Sequence, residues 1–380
     1  MERPLRICYL LSHFHPRASG AERQAQAQGR ELVRRGHEVR VLTRAIPGLP
    51  RNDEVDGIRI HRWIETIAAG PLFGLSFVAS TVAGLRRLRS QCDLIHTHQA
   101  LWESISCGVA RPWLAGLPTI IQPASSGFYG EAEEMARTKG FPILRRIAVR
   151  NTAFVAISEE IERQWSRLGV PPSRMTRLAS GVDTDRFRPG PSTLESSLPA
   201  GRSRVVFTGR IHPQKNLDIL IDIWGDVARE TGASLVLVGQ GEERPRLEQR
   251  VAELGLNERV VFVGAADDPS EHLRAADLFV LPSVAEGMSN SLLEAMSTGL
   301  PCIASEIGGN VDLLGDGAGL LIPPDDRPAW TEALIGCLKD EGLRTRLGRA
   351  ARAKIEAEFG LSAVVDRYLE LYDRLLASPK

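Results

Sequence analysis

The sequence predicts an α/β protein made of two doubly wound, Rossmann-like parallel sheets, and three observations carry that prediction. The length of 380 residues suits two domains at roughly 150 residues each. Short apolar runs alternate with longer amphipathic stretches from end to end, as parallel strands covered by helices on both faces require. The alternation breaks once, in the Pro-, Gly- and Ser-rich segment 186–203 (RFRPGPSTLESSLPAGRS), which reads as a linker. The boundary therefore goes near residue 190. This gives an N-terminal domain 1–190, a C-terminal domain 191–360, and a closing helix within 361–380 that can pack back on the N-terminal domain.

In the first half, apolar runs at 6–11, 38–43, 93–97, 118–122 and 153–157 read as strands, and 21–35 as an amphipathic helix. In the second half the strand runs are 204–208, 234–238, 260–263, 278–281 and 301–304, with helices over 217–231, 245–254 and 291–298. The closing helix, 362–376, puts Val364, Val365, Tyr368, Leu369, Tyr372, Leu375 and Leu376 on one side. Residues 66–85 carry no charge over a length that could span a bilayer. Gly70-Pro71, Gly74, Gly84 and several Ser and Thr dilute that stretch, so a helix within the α/β pattern is the preferred reading, ahead of an interfacial segment.

Composition narrows the function. The 47 basic and 47 acidic residues cancel, which disfavours nucleic acid as a partner. The first 190 residues hold 27 basic against 18 acidic residues, a net of +9, and the rest a net of −9. That is either an anionic partner for the first half alone or ordinary drift between domains. Five scattered cysteines, none in a CxxC pair, argue against a disulfide framework or a zinc ribbon and for a reducing compartment. The apolar run at 7–11 is too short for a signal peptide, so a cytoplasmic location is expected.

Two motifs carry chemistry. In SVAEGMSNSLLEAMSTGLPCIAS (283–305), Glu286 and Glu294 stand eight apart, between a strand and a helix starting near Ser289 or Ser291. Ser291 and Glu294 fit a capping box, and the amides of Gly287, Met288 and Ser289 would face outward at a helix N-terminus suited to anions. In VVFTGRIHPQKNLDILIDIW (205–224), a strand runs into Gly209, Arg210 follows, and Lys215 enters a helix. Lys215 is one of only five lysines against 42 arginines, so compositional drift does not explain it. A guanidinium fork and an ammonium at a strand's carboxyl end suit a diphosphate.

These motifs, in this order, resemble the retaining GT-B glycosyltransferases, in particular glycosyltransferase family 4. The resemblance also draws on Ser19-Gly20-Ala21-Glu22, DLIHTHQ (93–99), AISEEI (156–161), SGVDTDRFRP (180–189), LVGQGEERPRLE (236–248) and VFVG (261–264). It implies two Rossmann-like domains facing across a cleft and transfer of a sugar from a nucleotide-diphosphate donor to a glycan, lipid-linked or small-molecule acceptor, without a metal cofactor. It also implies roles by position. Arg210 and Lys215 would hold the diphosphate, Glu294 the ribose, and Glu286 the donor sugar. Val263 and Gly264 would lie along the base, and Gly20 in the loop approaching the diphosphate. Two departures stand out. Ser19 precedes Gly20 where the family often has a second glycine. No histidine follows the 118–122 strand, where the chain reads Gln122-Pro123-Ala124-Ser125-Ser126-Gly127. Ser125, Ser126 and Gly127 become acceptor-side candidates, along with His98, which shares the end of a strand with His96. Neither histidine has further ligands spaced for a metal, and Asp183-Thr184-Asp185 reads as a structural turn. A sugar-nucleotide epimerase of similar shape and an inactive sugar-nucleotide binder are the alternatives. Basic residues interleaved with apolar ones at 86–89 and 139–146 suggest docking on an anionic membrane surface.

Overall fold

The chain divides into two units, Met1–Gly181 together with Leu361–Lys380, and Val182–Gly360. The computed structural model describes residues 3–16, 19–194 and 203–377. The first unit runs β1 (Arg6–Leu10), α1 (Gly20–Arg34), β2 (Glu38–Arg44), β3 (Asn52–Val55), β4 (Ile58–Ile64), α2 (Pro71–Leu88), β5 (Leu94–Thr97), α3 (Trp102–Ala110), β6 (Thr119–Ile121), α4 (Glu131–Arg137), α5 (Phe141–Ala148), β7 (Ala153–Ala156), α6 (Glu159–Arg167) and β8 (Met175–Arg177). The second runs β9 (Arg204–Thr208), α7 (Leu217–Thr231), β10 (Ser234–Val238), α8 (Arg244–Glu253), β11 (Val260–Gly264), α9 (Ser270–Arg274), β12 (Leu278–Leu281), α10 (Asn290–Ser297), β13 (Cys302–Ser305), α11 (Gly308–Leu314), β14 (Leu320–Ile322), α12 (Arg327–Lys339) and α13 (Glu341–Lys354). The last helix, α14 (Leu361–Ala377), belongs to the first unit.

The first sheet has the order β3-β4-β2-β1-β5-β6-β7-β8, parallel throughout except for the β3–β4 hairpin. The second has the order β11-β10-β9-β12-β13-β14 and is wholly parallel. In each, the chain builds outward on one side and then returns to build on the other. The switch points lie between β1 and β5 and between β9 and β12, where a crevice opens at the strands' carboxyl ends. Central strands are apolar on both faces because helices cover both. Ile7, Cys8, Tyr9 and Leu10 of β1 are fully buried, as are Leu278 to Leu281 of β12.

Two features differ from the sequence-based reading, and a third agrees with it. The hairpin β3–β4 was not anticipated, although its two-residue turn, Asp56-Gly57, has both residues at positive φ, the geometry that favours Asp-Gly. The division falls at Gly181 rather than near residue 190. Val182 donates to the Phe359 carbonyl (2.9 Å), so the chain has already joined the second unit before the Pro/Gly-rich stretch, and within that stretch Thr193 and Ser192 bond Glu271. Of the expected linker, residues 195–202 lie outside the described residues. Finally, the uncharged stretch 66–85 becomes α2, which buries Gly74, Phe77, Thr81, Gly84, Leu85 and Leu88 on one stripe and leaves Leu72 and Leu75 exposed. Among the described residues no helix is long and apolar enough to cross a membrane.

Candidate functional site

In the second unit the predicted residues collect at the β9/β12 switch point. Beyond β9, the backbone of Gly209-Arg210-Ile211 lies against the loop after β10. Gly209 N–H donates to the Val238 carbonyl (3.0 Å) and Ile211 N–H to the Gln240 carbonyl (2.9 Å). Only glycine allows this approach, since a Cβ at Gly239 would sit 1.8 Å from the Gly209 oxygen. Arg210 is thereby held at an exposed position beyond the strand. The chain then makes a tight turn, Pro213–Lys215, begun by His212, whose Nδ1 accepts from Gln214 N–H (3.2 Å).

That turn is fastened to the loop after β12. Val284 N–H donates to the Gln214 carbonyl (2.9 Å), and Gln214 Nε2 donates to the Ala285 carbonyl (2.7 Å). Lys215 Nζ lies 2.5 Å from Glu286 Oε1, which also accepts from Ser283 Oγ at 2.6 Å. Both charges are largely enclosed, with side-chain exposures of 15% and 8%. Gly287, Met288 and Ser289 lead from Glu286 into α10. The helix cap is Ser289, whose Oγ accepts from Leu292 N–H at 3.3 Å. The expected Ser291–Glu294 box is therefore not the cap. Ser291 already lies inside the helix, where its Oγ meets Ser289 Oγ at 3.0 Å. Glu294 stands half-buried on the second turn. Val263 is exposed at the end of β11, with Gly264 buried beside it at φ +99. β11 lies two strands from β9, roughly 10 Å at the usual strand spacing.

The first unit carries the other candidates. Ser19 precedes α1, and Glu22 Oε2 accepts from its N–H at 2.9 Å and from its hydroxyl, a closed capping box that sets Gly20 as the first helical residue. Ser12, just beyond β1, donates its N–H to Gln99 Oε1 (3.1 Å) and its hydroxyl to Glu103 Oε1 (2.5 Å). Burial raises the Glu103 carboxyl to about 7. Beyond β6, Gln122 Oε1 accepts from Tyr368 Oη (2.8 Å) and sits 3.0 Å from His96 Nε2, while His96 Nδ1 meets Tyr372 Oη at 2.7 Å. An amide oxygen only accepts, so His96 carries its proton on Nε2 and takes Tyr372's proton on Nδ1. Burial drives the ring to about 3 and keeps it neutral.

His98 does not reach the surface. Its ring is 1% exposed, stacked on His96 at 4.5 Å and edge-on to Tyr9 at 4.4 Å. Residues i and i+2 of a strand share a face, and that face lies under α14. Ser125 and Gly127 are half-buried and Ser126 is buried. The Glu131 carboxylate, which the sequence reading did not single out, accepts from Ala124 N–H, Ser125 N–H and Ser125 Oγ, each at 2.9 Å. Ser283 and Gln214 were likewise not anticipated, because polar residues in a loop carry no periodic signal, and Tyr368, expected only on the apolar side of the closing helix, also holds Gln122. Asp183 Oδ1 accepts from the N–H groups of Asp185 (3.2 Å) and Arg186 (3.0 Å), an Asx turn. Among the described residues no three His, Cys, Asp or Glu side chains come together as metal ligands.

Comparison with known proteins places this geometry. Residues 18–186 match the family described as Glycosyltransferase Family 4, and residues 202–340 the one described as Glycosyl transferases group 1. A D-inositol 3-phosphate glycosyltransferase from Nocardia farcinica is 30% identical, over 99% of this chain and 90% of its own. An Escherichia coli UDP-Gal:alpha-D-GlcNAc-diphosphoundecaprenol alpha-1,3-galactosyltransferase is also 30% identical, over 75% of this chain and 76% of its own. In fold, the chain is similar to a sucrose-phosphate synthase from Thermosynechococcus elongatus, with a TM-score of 0.83 at 24% identity over 98% of this chain and 99% of that one.

Proposed function

The chain belongs to glycosyltransferase family 4, with the GT-B fold, and from that premise we propose a retaining, metal-independent hexosyltransferase whose second unit holds a nucleotide-diphosphate sugar and whose first unit holds the acceptor. One observation carries the donor reading: Lys215, Glu286 and Ser283 meet at the β9/β12 switch point, directly before the N-terminus of α10. The Lys215 ammonium, the Arg210 guanidinium and the positive end of α10 face a diphosphate there. They stabilise the charge that grows on it as the bond to the sugar breaks. Glu286 faces the sugar hydroxyls, Glu294 a ribose diol, and the edge at Val263 and Gly264 the base. With the leaving group so stabilised, the acceptor hydroxyl attacks from the face the diphosphate leaves and gives its proton to an oxygen of that departing diphosphate, which retains configuration.

The E. coli relative's name supports uridine as the donor base, and the two relatives' names support either a polyol phosphate or a lipid-linked sugar as the acceptor. We place the enzyme in the cytoplasm, on or near the inner membrane face. UDP-glucose, UDP-galactose and UDP-N-acetylglucosamine, each offered with myo-inositol 3-phosphate and with a short-chain polyprenyl-diphosphate N-acetylglucosamine, test the reading. Mass spectrometry should detect one product, with UDP released in equal amount, and its anomeric NMR coupling should show an α linkage. A β-linked product overturns retention. Tight UDP binding with no product from any pair favours an inactive sugar-nucleotide binder.

A further inference from the structure

We propose that Ser125 is the side chain through which the first unit reads its acceptor, that its hydroxyl meets that acceptor with lone pairs rather than a proton, and that Glu131 is the positioning residue that sets this polarity. The inference rests on the glycosyltransferase reading and names the group that recognises the attacking hydroxyl.

Ser125 stands half-buried in the loop beyond β6. Its single hydroxyl proton has two acceptors in reach, Glu131 Oε2 at 2.9 Å and the Tyr129 carbonyl at 3.3 Å. The shorter, charge-assisted bond takes the proton. What Oγ then offers outward is its lone pairs, so it binds an O–H or N–H and gains nothing from an ether, a carboxylate or a phosphate oxygen. The negative charge of Glu131 behind it further disfavours an anion at this point.

The loop is built to hold that orientation. Glu131 Oε1 takes the Ala124 N–H and Oε2 takes the Ser125 N–H, so one carboxylate fixes two successive amides as well as the hydroxyl. At the loop's other end, Gln122 is held by Tyr368 Oη at 2.8 Å and by His96 Nε2 at 3.0 Å. Gly130 packs so closely that a Cβ there would lie 2.8 Å from Ser126 Cα. Between these anchors Phe128 is 68% exposed yet not loose, since the Arg137 guanidinium lies 4.3 Å from its ring centroid and donates to its carbonyl at 2.5 Å. A fixed exposed aromatic ring beside a lone-pair-presenting hydroxyl suits a ligand with an apolar C–H face and a hydroxylated edge, that is, a sugar or cyclitol ring.

The test uses the full chain with whichever acceptor of the two offered above the wild type glycosylates, and UDP titration as the control. Ser125→Ala and Glu131→Gln should each raise the acceptor KM about tenfold, by more than they lower kcat, with UDP affinity unchanged. The double variant should be no worse than the weaker single variant, because both act on one hydroxyl, and Ser125→Thr should restore most of the loss. An unchanged acceptor KM in Ser125→Ala, additive losses in the double variant, or a shift in UDP affinity overturns the proposal. Should Glu131→Gln fail to fold, the Ser125→Ala and Ser125→Thr pair still decides it. If the wild type transfers to neither acceptor while Ser125→Ala folds and binds UDP normally, the functional reading fails first and takes the inference with it.

Discussion

Lys215 Nζ and Ser283 Oγ converge on the same oxygen of Glu286, at 2.5 and 2.6 Å. One carboxylate oxygen therefore holds both the ammonium and the hydroxyl in a largely dry crevice. The pair serves two ends. It compensates the Glu286 charge while no donor is bound, and it keeps the ammonium beside the place where phosphate oxygens would arrive.

Lys215→Met should therefore cost both binding and stability. Removing the ammonium leaves the buried Glu286 carboxylate without its counter-charge, a loss on the order of 3 kcal/mol. Adding Glu286→Gln should restore most of that stability by removing the stranded charge, but it should not restore UDP affinity, which falls at least tenfold in both variants. Chemical denaturation and UDP titration of the two variants check this. Recovery of UDP affinity in the double variant would show that the lysine serves Glu286 and not a phosphate.

Arg210 is exposed, so its loss separates function from fold. Arg210→Ala should lower turnover at least tenfold while unfolding stability stays within about 0.5 kcal/mol of wild type. Turnover near the wild-type value would remove Arg210 from the diphosphate site.

Transfer should proceed in EDTA at the rate seen without it. On the proposed reading, the cationic side chains and α10 supply the charge that a divalent ion would otherwise bring to the leaving group. Loss of activity in EDTA with recovery on adding Mg²⁺ or Mn²⁺ would reverse this and would direct attention to Asp183 and Asp185.

Where the sequence was legible, a periodic signal underlay it. The bounds expected for α7 match those observed, because Leu217, Leu220, Ile221, Trp224, Val227 and Ala228 repeat on one buried stripe. Strands such as β9 and β10 were equally plain, being short, valine-rich apolar runs. The β3–β4 hairpin escaped because 51–56 (RNDEVD) is mostly charged and carries no apolar alternation to notice. The site divides the same way. Lys215 and Glu286 stand in distinctive spacing, whereas Glu131 acts through backbone amides six and seven residues upstream, and Tyr368 through an amide 246 residues away. No sequence pattern short of the fold itself reports such contacts.

The boundary at Gly181 leaves the charge asymmetry intact, with 28 basic and 19 acidic residues in the first unit and 19 and 28 in the second. On α5, Ile143 is 66% exposed and only Ala148 is buried, with Arg146, and Lys139 just before the helix, also exposed. Arg86 and Arg87, by contrast, stack over Trp113 and Trp63 and are partly spent within the fold. The chain should sediment with phosphatidylglycerol vesicles at low salt, release at high salt, and ignore neutral vesicles. Ile143→Asp with Arg146→Glu should abolish the binding. Equal recovery in the supernatant with both lipids would leave these residues a solvated helix face.

Glu103 should give the fold a pH dependence of unusual sign. Its carboxyl is buried at the start of α3, with Glu22 and Glu131 nearby, and desolvation raises it from 4.5 to about 7. Between those values the folded chain holds a proton that the unfolded chain has released. The contribution is thus fully present below about pH 4.5 and is lost as pH rises through 7, amounting to about 3 kcal/mol. His96 and His98 work in the opposite direction. They are neutral when folded and charge on unfolding below their ordinary value, so they remove stability as pH falls. The wild-type profile alone mixes these effects, and the comparison with Glu103→Gln isolates the carboxyl, since the histidines remain in both. Urea unfolding at pH 5, 6, 7 and 8 should show wild type losing about 3 kcal/mol relative to the variant across that range. A constant difference between the two proteins would mean that Glu103 ionises in the folded chain as it does in water.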